Sequence, residues 1–113
     1  MSRITILLNS VKLNVLHNER IVVKNYCKPE EIYMKIDGDD ELIGRQVLKL
    51  YNAVFQKNNL WFVYTTLISS QQEIGFSKPV PKSVLDSDRF RKGAVKYISH
   101  LRAFYVKLFL LIK

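Results

Sequence analysis

Residues 39–68, DDELIGRQVLKLYNAVFQKNNLWFVYTTLI, decide the fold class. In the first half Ile43, Val47, Leu50 and Val54 recur at i, i+4, i+7 and i+11, the spacing of one apolar helix face. Asp39 or Asp40 stands ahead of them as a cap. After the polar break Gln56-Lys57-Asn58-Asn59, the run Leu60 to Ile68 contains Trp61, Phe62, Val63, Tyr64 and two threonines, which reads as a strand. A helix of period 3.6 passing directly into a β-rich run predicts an α+β domain.

Toward the C-terminus, Ser69 to Gln72 turns the chain into Glu73 to Ser77, which predicts an antiparallel hairpin that Pro79 and Pro81 terminate. A second long helix is predicted from Asp86, capped by Asp86 or Ser87, with Phe90, Ala94, Tyr97 and Leu101 as its stripe. Phe104, Val106, Leu108, Leu110 and Ile112 then alternate with Tyr105, Lys107, Phe109 and Leu111. This apolar run is the pattern of a mid-sheet strand. Toward the N-terminus, Lys28-Pro29-Glu30-Glu31 predicts a helix start, with Ile32, Tyr33 and Ile36 as a short apolar side before Asp37-Gly38-Asp39-Asp40 breaks it. Arg20 to Lys24 predicts a strand, and Ile4 to Leu8 a buried first strand ending at Asn9-Ser10. The expected order is β-β-α-α-β-β-α-β, in one α+β domain over 1–113 with helices on a mixed central sheet of about five strands.

The 113 residues, 48% hydrophobic, suffice for one ordinary core without staples. Cys27 is the single cysteine, so no intramolecular disulfide forms, and no zinc site or cofactor is expected around it. The run Ile4 to Leu8 is shorter than the roughly 7–15 residue core of a signal peptide. Phe104 to Ile112 is about half of the roughly 20 residues that span a bilayer, and Lys107 interrupts it. The expectation is a cytoplasmic protein without a membrane segment.

Charge is distributed unevenly. Residues 1–40 hold six basic and six acidic side chains, whereas residues 41–113 hold twelve basic against four acidic, an excess of eight that equals the whole net charge of +8. This asymmetry predicts a polyanionic partner, with a merely solubilising surface as the alternative. The predicted late helix carries Arg89, Lys92, Lys96 and His100 on its polar face, with Arg91 and Arg102 at its margins, a composition suited to phosphate contacts. Gly44, in the first turns of a predicted helix, costs about 1 kcal/mol relative to alanine and signals a close approach of backbone or ligand. Arg45 beside it is placed to meet an anion at the helix N-terminus. His17 and His100 have no recognisable companions, the serines lack a nucleophile elbow, and the four glycines form no phosphate loop.

These segments together resemble the small archaeal-virus proteins that include the anti-CRISPR ring nucleases. Leu8-Asn9-Ser10 is similar to that family's opening strand and ligand loop, and Ile43-Gly44 to the Ile-Gly-His that opens its main helix. Phe55-Gln56-Lys57-Asn58-Asn59 is similar to its Lys-Asn-Arg motif, and residues 76–85 occupy the place of its Arg-Leu-x-Glu-Gly segment. The resemblance implies a homodimer that binds cyclic tetra-adenylate, with Asn9, Ser10, Gly44, Arg45, Lys57, Asn59 and Lys78 as the ligand set. Arg45 stands in the position of the catalytic histidine and Asn59 in that of a ligand-binding arginine. Arginine stays protonated at neutral pH and cannot alternate as acid and base. The expectation is therefore a non-catalytic nucleic-acid or cyclic-oligonucleotide binding protein, of viral origin and acting in the host cell, with no catalytic residue assigned. The alternatives are a module that binds or inhibits a host protein, and a residual ring nuclease in which Arg45 stabilises developing charge.

Overall fold

A computed structural model of the chain describes residues 4–66, 68–71, 74, 78–87, 97–98 and 101–112. The elements in chain order are α1 (Val15–Tyr26), β1 (Ile32–Lys35), α2 (Val47–Asn58), β2 (Phe62–Tyr64), α3 (Lys82–Leu85), β3 (Arg102–Tyr105) and α4 (Val106–Phe109). The α+β class holds. The sheet is smaller than expected and wholly antiparallel: among the described residues it has three strands in the order β1-β3-β2.

The pairing sets Tyr33, Phe104 and Phe62 side by side in one row, and Met34, Ala103 and Val63 in the next. Adjacent rows point to opposite faces because strand side chains alternate. On one face Ala103 is fully buried against Tyr51 and Phe55 of α2, with Met34, Val63 and Tyr105 around them. Phe55 meets Tyr105 edge to face at 5.3 Å. On the other face Phe104 contacts Tyr33 at 5.2 Å and stacks on Phe109 at 5.9 Å, above a cluster of Val23, Val106 and Phe109. The sheet thus lies between α2 and the pair α1 and α4.

Arg20 to Lys24, expected as a strand, is the middle of α1. Asn14 caps this helix, its side-chain oxygen accepting the His17 N–H at 2.8 Å. β-Branched residues lose at most about 0.7 kcal/mol each in a helix. Burying a valine gains about 1.5–3 kcal/mol. Val23, fully buried against Val106 and Phe109, therefore outweighs the local preference.

Ile32–Lys35, expected within a brief helix, is the edge strand β1. The preceding residues form a turn in which the Glu31 carboxylate accepts the Lys28 N–H at 2.7 Å. The space between Pro29 and Asp37 allows about two helical turns, too few to offset nucleation. As a strand the same residues pair with β3.

The strand expected over Phe104 to Ile112 ends at Tyr105. The Val106 and Lys107 N–H groups instead donate to the Glu31 and Pro29 carbonyls at 2.9 and 3.0 Å, which turns the chain into α4. In a helix Val106 and Phe109, three apart, share a face, whereas a strand would send them to opposite sides. Both are buried.

α2 is confirmed but begins at Val47, after Gln46 and with no side-chain cap, so neither Asp39 nor Asp40 starts it. Its buried face is Val47, Tyr51 and Phe55, while Ile43 and Leu50 are exposed. Ile4 to Leu8 forms no strand, and its side chains face solvent. The expected hairpin keeps one antiparallel bridge, Ile68 to Ile74, and its remaining second-strand positions Glu73 and Gly75 to Ser77 lie outside the described residues. Asp86 closes the short helix α3 rather than opening a long one, and Leu101 directly precedes β3. Phe90 and Ala94 of the expected late helix also lie outside the described residues.

Phe55→Ala is expected to lower the unfolding free energy by about 3–5 kcal/mol, and Ala103→Leu by about 1–3 kcal/mol through overpacking. Both read out as reduced urea midpoints; wild-type midpoints would refute this placement of the core.

Candidate nucleic-acid interface

β2 positions a part of the aromatic face that α1 and α4 leave open. Phe62 lies in register with Phe104, their rings parallel within 11° at 6.5 Å, and is 38% exposed. Tyr64, two residues along and hence on the same face, contacts Phe62 at 6.3 Å. Its hydroxyl donates to the Lys78 carbonyl at 2.7 Å, which fixes the ring. The Thr65 N–H donates to the Leu101 carbonyl and the Leu101 N–H to the Thr65 hydroxyl, so the strip is held rigid beyond the end of the ladder.

Arg102 supplies the charge. It stands on β3 between Lys35 and Tyr64, on the face of Phe104 and Phe62. Lys35 is neutralised by Glu19 of α1 at 3.4 Å. Among the described residues Arg102 has no ion-pair partner, and it is exposed. A guanidinium beside two partly open rings can contact a phosphate while the rings stack on bases.

α1, on the same side of the sheet through its Glu19–Lys35 bridge, adds a second basic surface. His17, Arg20, Ile21, Lys24 and Asn25 line a shallow cavity of about 270 Å³. His17, Arg20 and Lys24 fall at i, i+3 and i+7, one helical stripe, a spacing visible only once residues 15–26 are read as a helix. A third cationic feature lies beyond the strip: the Lys107 ammonium sits 4.6 Å from the ring centre of Trp61 and 5.0 Å from that of Tyr105.

The other residues singled out from sequence are dispersed. Asn9 and Ser10 are exposed, the Asn9 side-chain amide donating to Asn18 at 2.7 Å. Gly44 and Arg45 occupy an exposed bend and turn before α2, and no described atom lies within 4 Å of the place a Gly44 Cβ would take. Packing within the protein therefore does not require glycine there. Lys57 is in the last turn of α2 and Asn59 caps it in the left-handed conformation at φ 48°. The twelve residues of α2 set the Gly44–Arg45 pair about 18 Å from the Lys57–Asn59 pair. Lys78 is exposed and joined by its backbone to Tyr97 and Tyr64. Arg102 belongs to a strand rather than a helix margin. Arg89, Arg91, Lys92, Lys96 and His100 lie outside the described residues.

Among the described residues no group of histidine, cysteine and carboxylate side chains is placed to hold a metal ion, and no helix is long and apolar enough to cross a membrane. Comparison with family models, curated proteins and solved structures finds no match.

Three groups have displaced acidities. Burial and then Glu31 raise the Cys27 thiol, which favours its neutral form. Burial raises Tyr33, helped by Glu19 and Cys27, and burial raises Tyr51 while a Thr65 hydrogen bond partly offsets it. A tyrosine whose folded pKa lies above its unfolded one contributes stability below the unfolded value, and that contribution is lost as pH rises through the folded value. Unfolding free energy should therefore fall as pH climbs past the ordinary tyrosine value of 10.0. Tyr51→Phe, which keeps the ring, should make that decline shallower in urea titrations. An unchanged slope would contradict the burial of the phenol.

Proposed function

We propose that the protein is a non-catalytic binder of single-stranded nucleic acid or of a cyclic oligonucleotide, which presents the same bases and phosphodiesters. The observation that carries this reading is Arg102, unpaired among the described residues and set in register beside Tyr64 on the open aromatic face. The net charge of +8 supports it, as does the stripe of His17, Arg20 and Lys24 on the same side of the sheet. Bases stack on Phe62 and Tyr64, Arg102 meets the backbone, and α1 extends the positive track. The resemblance to ring nucleases favours cyclic tetra-adenylate as a ligand, and with it a viral protein acting inside a host cell. Binding without turnover is the expected outcome for cyclic tetra-adenylate, because Arg45 in the histidine position supplies no base.

The test is fluorescence anisotropy with labelled single-stranded RNA and DNA, duplexes and cyclic tetra-adenylate across a salt series. Tyr64→Ala or Phe62→Ala should weaken binding about 5- to 150-fold, the equivalent of ~1–3 kcal/mol for one lost stack. Arg102→Ala should reduce the logarithmic salt slope for single strands by about 0.7, one phosphate contact. Affinity independent of salt, or unaffected by all three substitutions, would overturn the proposal and favour a protein partner.

A further inference from the structure

Two features of the chain remain unused by the interface. The first is the arm Ile4–Leu8, ITILL, extended in conformation, rich in β-branched residues, with Ile6 79% and Leu8 91% exposed. Apolar side chains in such a run are costly to leave in water, and their alternation suits a strand. The second is the outer edge of β1, against which no described strand pairs. A trough of about 670 Å³ runs beside it, lined by Cys27, Glu30, Glu31, Tyr33, Asn52 and Gln56. It also touches Ile32 and Met34, consecutive with Tyr33 and alternating in face, so it follows the edge of the strand rather than either face.

We infer that the arm of one copy adds as a strand to the β1 edge of a second copy, and that the exchange is reciprocal, giving a two-fold dimer. The lengths agree: five arm residues span about 17 Å and four β1 residues about 13 Å. The charges agree as well. No ionisable side chain occurs from Ile4 to Val11, Arg3 and Lys12 bound this stretch, and the trough offers Glu30 and Glu31. The Asn9–Asn18 hydrogen bond holds the root of the arm on its own α1, and from there the arm's side chains enter solvent. An isologous exchange buries two arms and closes two edges at once, which ends further strand addition. This inference is independent of the nucleic-acid reading.

The experiment is hydrogen–deuterium exchange of the full chain over a concentration series, together with its mass in solution by light scattering. The result expected is a dimer in which amides of residues 4–8 and 32–35 become protected together as concentration rises. The double substitution Ile6→Lys and Leu8→Lys should return both segments to fast exchange and give a monomer with unchanged far-ultraviolet circular dichroism. A chain that stays monomeric to millimolar concentration would overturn the inference. So would a dimer whose residues 4–8 exchange freely, or protection that is independent of concentration and hence arises within one chain.

Discussion

The structure depends on the burial of β3 between two unlike layers. Ala103, fully buried, allows Tyr51 and Phe55 of α2 to reach one side of the strand, and Phe104 spreads the other side with an aromatic row from Tyr33 to Phe62. Both flanking strands find their register only through this strand. β1 and β2 never touch each other in the sheet, so β3 is the shared partner without which each would be a lone segment. A four-residue strand completes this role because the chain coils immediately afterwards, and Val106 and Phe109 cover the ring of Phe104.

This economy leaves the sheet incompletely covered. α1 and α4 are short, and they pack over β1 and β3, which leaves Phe62, Tyr64 and Arg102 at the β2 side accessible. In a larger domain these positions would be covered by another helix and would read as core. Here the aromatic side chains continue the core row into solvent, and the arginine at its margin is left without a carboxylate among the described residues. Glu19 goes to Lys35 instead. The folding energetics of the aromatic row and the proposed recognition of bases use the same rings, Phe104 inward and Phe62 outward.

Much of the fold was legible in the sequence where period and packing agreed. Residues 47–58 carry a helical pattern and form a helix; residues 62–64 lie in a β-rich run and form a strand. The α1 segment was misread because Ile21-Val22-Val23 has strand propensity, and only Val23 meeting Val106 and Phe109, more than eighty positions away, decides otherwise. The signal at hand was Asn14, a cap followed by a polar turn. Phe104 to Ile112 alternates cleanly, yet two carbonyls at Pro29 and Glu31 capture its backbone and end the strand. Arg102 was singled out for its charge, but its neighbours were hidden because the β2–β3 pairing joins residues nearly forty apart. Tyr64 was legible as an aromatic and was weighed mainly as core. Gly44 was given a packing role that its open surroundings do not require.

The most direct measurement is a titration of ¹⁵N-labelled protein with a short single-stranded oligoadenylate, followed by amide shifts. The account predicts that the largest changes cluster at Phe62, Val63, Tyr64 and Arg102, extend to the basic stripe of α1, and spare the α2 face of the sheet. Shifts confined to α2 and the β1 edge, or none at saturating oligonucleotide, would contradict it.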